Sequence, residues 1–153
     1  MKILFVCTGN TCRSAMAEWL LRKMLSDKNI DGIKVSSCGT GAMPYFKVPP
    51  VVVCLMQEEG IDIKPHSARL VTTEILDNSD LVLCMEKSHK QYLNDRFPLS
   101  KKKTHVFKEY VKSSDNNLNI PDPIGLTDGI YLKTKEEIKE NLIKLISILE
   151  AGR

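Results

Sequence analysis

The chain has no apolar run approaching the roughly 20 residues that a membrane-spanning helix needs, so a membrane role is not expected. Its opening stretch, Met1-Lys2-Ile3-Leu4-Phe5-Val6, is too short for a secretory signal core and passes directly into a polar loop. A disulfide framework is missing too. The cysteines number five, an odd count without regular spacing, as expected of a cytoplasmic protein whose thiols stay reduced. Charge of one sign is scarce: Lys and Arg number 22 against 19 Asp and Glu, and the resulting +3 does not imply a nucleic-acid partner. There is no internal repeat, no low-complexity segment and no sign of a second domain, so residues 1–153 read as one domain. Apolar residues at 42% and charged residues at 27% are enough for a buried core that needs neither disulfide nor metal.

Ile3-Leu4-Phe5-Val6 is continuously apolar, the pattern of a strand buried on both faces of a parallel sheet. A polar loop follows, and then Met16, Trp19, Leu20 and Met24 recur at helical spacing. Ile33-Lys34-Val35-Ser36 suggests a second strand. Pro49 and Pro50 open a helix that runs to Glu59, with Gly60 as its stop. Thr73 precedes a short helix, Leu81-Val82-Leu83-Cys84-Met85 is a third strand, and Ser88 is a candidate cap for a helix to about Asn94. His105-Val106-Phe107 reads as a fourth strand, and residues 113–129 as a long polar loop. Thr134-Lys135-Glu136-Glu137 has the form of a capping box, followed by Ile138, Leu142, Leu145, Ile146 and Leu149 on one face. Strands alternating with helices imply an α/β fold: a doubly wound, four-stranded parallel sheet flanked by helices.

Ligands bind such sheets at the carboxyl ends of the strands, where Cys7-Thr8-Gly9-Asn10-Thr11-Cys12-Arg13-Ser14 lies between first strand and first helix. Backbone N–H groups of a short loop opening a helix converge on an anion, and the helix dipole adds about half a positive charge. Gly9 and Asn10 are residue types that tolerate left-handed backbone angles. Arg13 can offer two parallel hydrogen bonds to phosphate oxygens. A helix N-terminus and a guanidinium both stabilise a thiolate at Cys7, and the Ser14 hydroxyl can add a hydrogen bond to sulfur. The same field would stabilise the spread charge of a transferring phosphoryl group. The loop lacks the lysine of a nucleotide-binding P-loop and the full glycine pattern of a dinucleotide fingerprint. Spacing alone leaves two other readings of Cys7 and Cys12 open, a redox pair or part of a metal site, although no further Cys or His is close in sequence.

Val6-Cys7-Thr8-Gly9-Asn10-Thr11-Cys12-Arg13-Ser14 resembles the C-x5-R-S signature of the low-molecular-weight protein tyrosine phosphatases. Ser36-Ser37-Cys38-Gly39-Thr40 is similar to that family's S-A-G-T segment, His66-Ser67-Ala68-Arg69 to its H-x-A-R, and Asp80-Leu81-Val82-Leu83-Cys84-Met85 to its D-x-I-L-x-M. Asp122-Pro123 falls where the family carries a late catalytic D-P; read without the resemblance, it is a turn. The resemblance implies that Cys7 attacks phosphorus in line and that Arg13 holds the equatorial oxygens. Asp122 then protonates the leaving group and later deprotonates the water that frees phosphate from Cys7. Residues Thr8, Gly9, Asn10, Thr11, Cys12, Arg13 and Ser14 would form the phosphate cradle, with Asn10, Ser37 and His66 bracing it. Cys12 is implied as the redox partner that traps oxidised Cys7 as a disulfide. No metal or organic cofactor is implied; the partner is a phosphorylated protein substrate and the enzyme is expected to be monomeric.

Cys38, Cys54 and Cys84 are expected as buried fillers, Trp19 as a core or helix-face residue, and Lys101-Lys102-Lys103 as a solvated loop end; His89 and His105 have no evident role. Position 11 bears on the substrate. Tyrosine-specific relatives usually carry an aliphatic residue there, whereas the protein-arginine phosphatase branch carries threonine, so Thr11 points to phosphoarginine, with phosphotyrosine as the alternative. Two departures stand out: Ile124 replaces the aromatic residue that often follows D-P, and Ala15 replaces the proline after Cys-Arg-Ser. Tyr45, Phe46 or Tyr131 are candidates to supply the missing ring. An arsenate reductase would need two further relay cysteines; Cys84 is suitably placed, but residues 86–97 hold no second one.

Overall fold

The computed structural model describes all of residues 1–153. Four strands, β1 (Lys2–Cys7), β2 (Lys34–Gly39), β3 (Leu81–Cys84) and β4 (Thr104–Val106), form one parallel sheet in the order β2-β1-β3-β4. Helices α1 (Arg13–Asp27), α2 (Pro50–Glu58), α3 (Thr73–Asp77), α4 (Lys87–Arg96), α5 (Phe107–Tyr110) and α6 (Asp128–Ala151) flank it, with a 3-10 turn at Pro98–Lys103. This is the doubly wound α/β sheet that the alternating pattern implies.

Successive side chains of a strand point to opposite faces, and β1 uses both for burial. Ile3, Phe5 and Cys7 join a core with Met16, Leu20 and Leu21 of α1 and Ile138, Leu142, Leu145 and Ile146 of α6. Leu4 and Val6 face the other way, against Cys38, Val82, Cys84, Leu76 and Leu93. Each large side chain so buried contributes about 1.5–3 kcal/mol, which is why the strand is wholly apolar from Ile3 to Val6. The chain leaves β1 for β2 on one side and later enters β3 on the other. The carboxyl end of β1 is therefore the switch point of the sheet, where a ligand cleft opens.

Several boundaries differ from the sequence reading, each for a local reason. Helix α6 begins at Asp128, about two turns before Thr134. Its cap is Thr127, whose hydroxyl accepts from the Ile130 amide, while Thr134 is buried inside the helix and donates to the Ile130 carbonyl at 2.9 Å. Helix α3 is capped by Thr72, not Thr73, and α4 by Glu86, not Ser88. Strand β4 ends at Val106 because Phe107 turns into α5 to stack edge-to-face on Phe5, with ring centroids 5.4 Å apart. Cys54 is exposed, since α2 faces the core with Val52, Leu55 and Met56 and leaves position 54 outside. Lys101 and Lys102 are solvated, but Lys103 donates to the carbonyls of Leu76 and Ser79 and closes the end of α3.

Candidate active site

The segment after β1 wraps around the sulfur of Cys7 and runs straight into α1. Asn10 takes a left-handed backbone angle, φ 58°, which turns its amide toward Cys7 Sγ at 3.3 Å. Of the two residues expected to use that freedom only Asn10 does; Gly9 has an ordinary φ, and a Cβ there would make only ordinary van der Waals contact with Thr11 and Phe46. Helix α1 has no side-chain cap at its N-terminus, so its first amides remain available to an anion. Ser14 Oγ lies 2.8 Å from Cys7 Sγ and accepts from Asn10 Nδ2 at 2.9 Å, so its own proton can be given to the sulfur or to the more distant Cys38 carbonyl at 3.4 Å.

A second layer fixes this loop. Asn10, fully buried, also donates to Ser37 Oγ at 2.8 Å and accepts from the Arg69 amide at 3.0 Å. His66 Nε2 donates to the Asn10 carbonyl at 2.7 Å, and its Nδ1 meets Trp19 Nε1 and Glu18 Oε2. Ser37 donates to the same Glu18 carboxylate. Asn10, Ser37 and His66 are thus joined in one hydrogen-bonded set around the loop. Glu18 and Trp19 complete the brace; nothing in their local sequence marks them, since their partners lie tens of residues away. The carboxyl end of β2 closes against the loop as well: a Cβ on Gly39 would run into the Thr8 carbonyl, so only glycine fits there.

Arg13 is buried and draws three parts of the chain together. Its Nη1 donates to the Ile120 carbonyl at 2.9 Å and sits 3.4 Å from Glu86, while Nη2 lies 3.6 Å from Asp122. Asp122, 40% exposed, also accepts from the Ile124 amide, which orients its carboxylate over the cleft. Cys7, Gly9, Asn10, Thr11, Cys12, Arg13, Asp122 and Ile124 line one small cavity. Of the expected cradle residues, Thr8 and Ser14 lie outside that lining, as do the bracing residues Ser37 and His66: Ser14 is hydrogen-bonded to the sulfur, and Thr8 faces His89. Ile124 forms one exposed lip. Phe46 lies where a Cβ on Gly9 would touch it, with Tyr45 edge-on to it at 5.2 Å, whereas Tyr131 is buried.

The charges here have clear causes. Burial pushes the Cys12 thiol far up, and the neighbouring Cys7 and Asp122 add to this against Arg13. Burial likewise raises Cys38 to about 12 and Cys84 further. His89, without an evident role in the sequence, proves part of the site. Burial, reinforced by Arg13, lowers it to about 4. Its Nδ1 accepts from the Glu86 amide, so the neutral ring carries its proton on Nε2 and donates to Thr8 Oγ1 at 2.9 Å. The signal was present as Glu86-x-x-His89, a reciprocal cap with histidine in the third position.

Residues 2–153 match the family described as low molecular weight phosphotyrosine protein phosphatase. The chain belongs to this family. Among its relatives, a protein-arginine-phosphatase of Bacillus subtilis is 37% identical over 153 residues, covering 100% of this chain and 99% of that one. A protein-arginine-phosphatase of Geobacillus stearothermophilus is 34% identical over 149 residues, 97% of this chain and 96% of its own. The solved structure of a YwlE arginine phosphatase, a cysteine-to-serine mutant with its active-site serine phosphorylated, superposes with a TM-score of 0.93 at 36% identity, covering 100% and 98% of the two chains. The low-molecular-weight protein-tyrosine-phosphatase Wzb of Escherichia coli is 35% identical over 134 residues, 88% of this chain and 80% of that one. The chain is accordingly a protein phosphatase of the low-molecular-weight, cysteine-dependent class.

Proposed function

We propose that this phosphatase removes phosphate from phosphoarginine in proteins through a cysteinyl-phosphate on Cys7. The observation that carries the substrate is Thr11, which lines the same small cavity as Cys7 and Asp122. A small polar wall and a carboxyl group able to hydrogen-bond suit a guanidinium better than a phenyl ring. Two relatives over nearly the full length of this chain bear the name protein-arginine-phosphatase, which supports the same choice.

In the first step the Cys7 thiolate attacks phosphorus as the bond to the leaving nitrogen or oxygen breaks, and Asp122 gives that atom its proton. Arg13 and the loop amides hold the equatorial oxygens while negative charge is redistributed. In the second step Asp122 takes a proton from water, water oxygen bonds to phosphorus, and the S–P bond returns its electrons to Cys7. Thr8, Gly9, Asn10, Thr11, Cys12, Arg13 and Ser14 form the cradle, and Cys12 is the partner that captures oxidised Cys7 as a disulfide. We place the enzyme in the cytoplasm as a monomeric single domain that needs no metal. The relay of an arsenate reductase is disfavoured, because Cys84 is wholly buried with its thiol held protonated.

The test is phosphate release from matched phosphoarginine and phosphotyrosine peptides, with Cys7→Ser as the blank. Faster phosphoarginine turnover, shifted toward phosphotyrosine by Thr11→Ile, is the expected result. Faster phosphotyrosine turnover by the unaltered enzyme, or a ratio unmoved by Thr11→Ile, would remove Thr11 as the selective wall.

A further inference from the structure

Between α5 and α6 the chain runs through residues 111–127 without regular structure, and this segment carries Asp122. A segment of that length is ordinarily mobile, yet a general acid must be held within about 0.5 Å of its working position. The tie begins at Lys108 of α5. Its side chain is 1% exposed, and its ammonium donates to Asp115 in the segment, at 2.7 Å, and to Glu137 of α6. The hydrogen bond from Lys108 holds the Asp115 carboxyl below its usual range, so this pair stays ionised.

From there the segment climbs toward the cleft on alternate residues. The Ser113 amide donates to the Lys108 carbonyl, and the Asp115 amide to Ser113 Oγ. The Asn117 amide donates to Asp115 Oδ1, and the Asn119 amide to Asn117 Oδ1 at 3.0 Å. Asn119 Oδ1 then accepts from the Lys87 amide at 2.8 Å, and the Ile120 amide donates to the Met85 carbonyl at 2.9 Å. Arg13 closes the series on the Ile120 carbonyl, two residues before Asp122. Residues 113, 115, 117 and 119 are thus joined one to the next by hydrogen bonds, and residues 119 and 120 are fastened to the segment after β3.

We propose that Lys108 is a positioning residue for Asp122, acting through the Asp115-Asn117-Asn119 ladder to hold the segment that carries Asp122 at the mouth of the cleft. The proposal rests on Asp122 as general acid. A buried cation is expensive to desolvate and adds little net stability over an apolar side chain of the same volume. Its carboxylate partners sit on the segment and on α6, which is where a fastening for the acid would be.

The experiment compares kcat/KM for phenyl phosphate, whose leaving oxygen needs a proton, with that for dinitrophenyl phosphate, whose leaving oxygen does not. Lys108→Met, Asn119→Ala and Asp122→Asn are measured side by side. Lys108→Met is expected to lose roughly tenfold to a hundredfold on phenyl phosphate, the scale of a small misplacement of a catalytic group, and to change by less than about twofold on dinitrophenyl phosphate. Adding Lys108→Met to Asp122→Asn is expected to change little further, because both remove one function. An equal loss on both substrates would mark Lys108 as merely structural. No loss on either, with a graded loss in Asp122→Asn, would also overturn the proposal while leaving the general acid intact. An ungraded Asp122→Asn would instead remove the reading on which it rests. Should Lys108→Met not fold, Asn119→Ala carries the same comparison, since it cuts the ladder at a partly exposed rung.

Discussion

Asn10 offers the sharpest test of how the loop is held. Its side chain makes three hydrogen bonds, to Ser14, to Ser37 and from the Arg69 amide, in a fully buried position. At about 1 kcal/mol net for each, their loss in Asn10→Gly is worth about 3 kcal/mol. Asn10→Ala loses the same bonds and in addition must hold a Cβ at φ 58°. That left-handed strain of about 1–2 kcal/mol is partly offset by the greater unfolded-state freedom of glycine, about 0.4–1 kcal/mol. Alanine is therefore expected to be less stable than glycine by about 0.5–1 kcal/mol, although it is the better residue almost anywhere else. Against a typical domain stability of about 5–15 kcal/mol, both variants should still fold and can be compared by urea denaturation. The midpoints should fall in the order wild type, glycine, alanine with unchanged m-values, and vanadate binding should weaken in both variants. Alanine equal to or above glycine would refute the conformational argument. Either variant within about 1 kcal/mol of wild type would refute the hydrogen-bond argument.

Acid should act through His89. The folded protein holds it at about 4 against an ordinary 6.5, so between those values the unfolded chain binds the extra proton. Stability is therefore unaffected above about pH 6.5 and declines as pH falls toward 4, by at most roughly 3 kcal/mol. His89→Asn should flatten that part of a stability-against-pH curve; an unchanged slope would exclude His89 as its source. Thiol labelling should separate the cysteines by exposure and charge. Cys54 should react without denaturant, while Cys38 and Cys84, both wholly buried and held protonated, should react only after unfolding. Peroxide should convert Cys7 and Cys12 to a disulfide that thiol reductant reverses, and Cys12→Ser should make the inactivation irreversible; mass spectrometry of the Cys7 peptide decides it.

Features set by neighbours in sequence were legible, and features set by distant partners were not. The buried parallel strand, the loop at its carboxyl end and the helix after it all follow from residues 3–24, where each local preference agrees with the fold. Helix α6 shows the opposite case. Thr134 and Glu137 satisfy the spacing of a capping box, but Thr127 caps upstream, and burial of Tyr131 and Thr134 keeps the intervening turns helical despite Gly129. Burial decided between two plausible starts, and burial is a tertiary property. His89 shows locally only as the reciprocal cap with Glu86, and its link to the loop was hidden for the same reason. A histidine in a polar helix reads as solvated until Thr8, 81 residues earlier, is known to be its partner.

Arg13 explains why so much of the site could nevertheless be located from one motif. A buried guanidinium is unstable unless its donors are satisfied and its charge is met. Once the loop places Arg13 behind Cys7, the chain must supply acceptors from elsewhere, and it supplies three: the Ile120 carbonyl, Glu86 after β3 and Asp122 beyond it. The motif thus dictates a demand, and the fold meets it with segments more than seventy residues away in sequence. An incoming phosphate would bring its own negative charge to Arg13 and compete with both carboxylates. Asp122 is the more exposed of the two, at 40% against 27%, and the weaker contact, at 3.6 Å against 3.4 Å. It is therefore the one that can release the guanidinium most readily. Glu86, fixed by its reciprocal cap with His89, stays in place. The difference in tethering separates a carboxylate free to exchange protons at the mouth of the cleft from one that holds Arg13 in position.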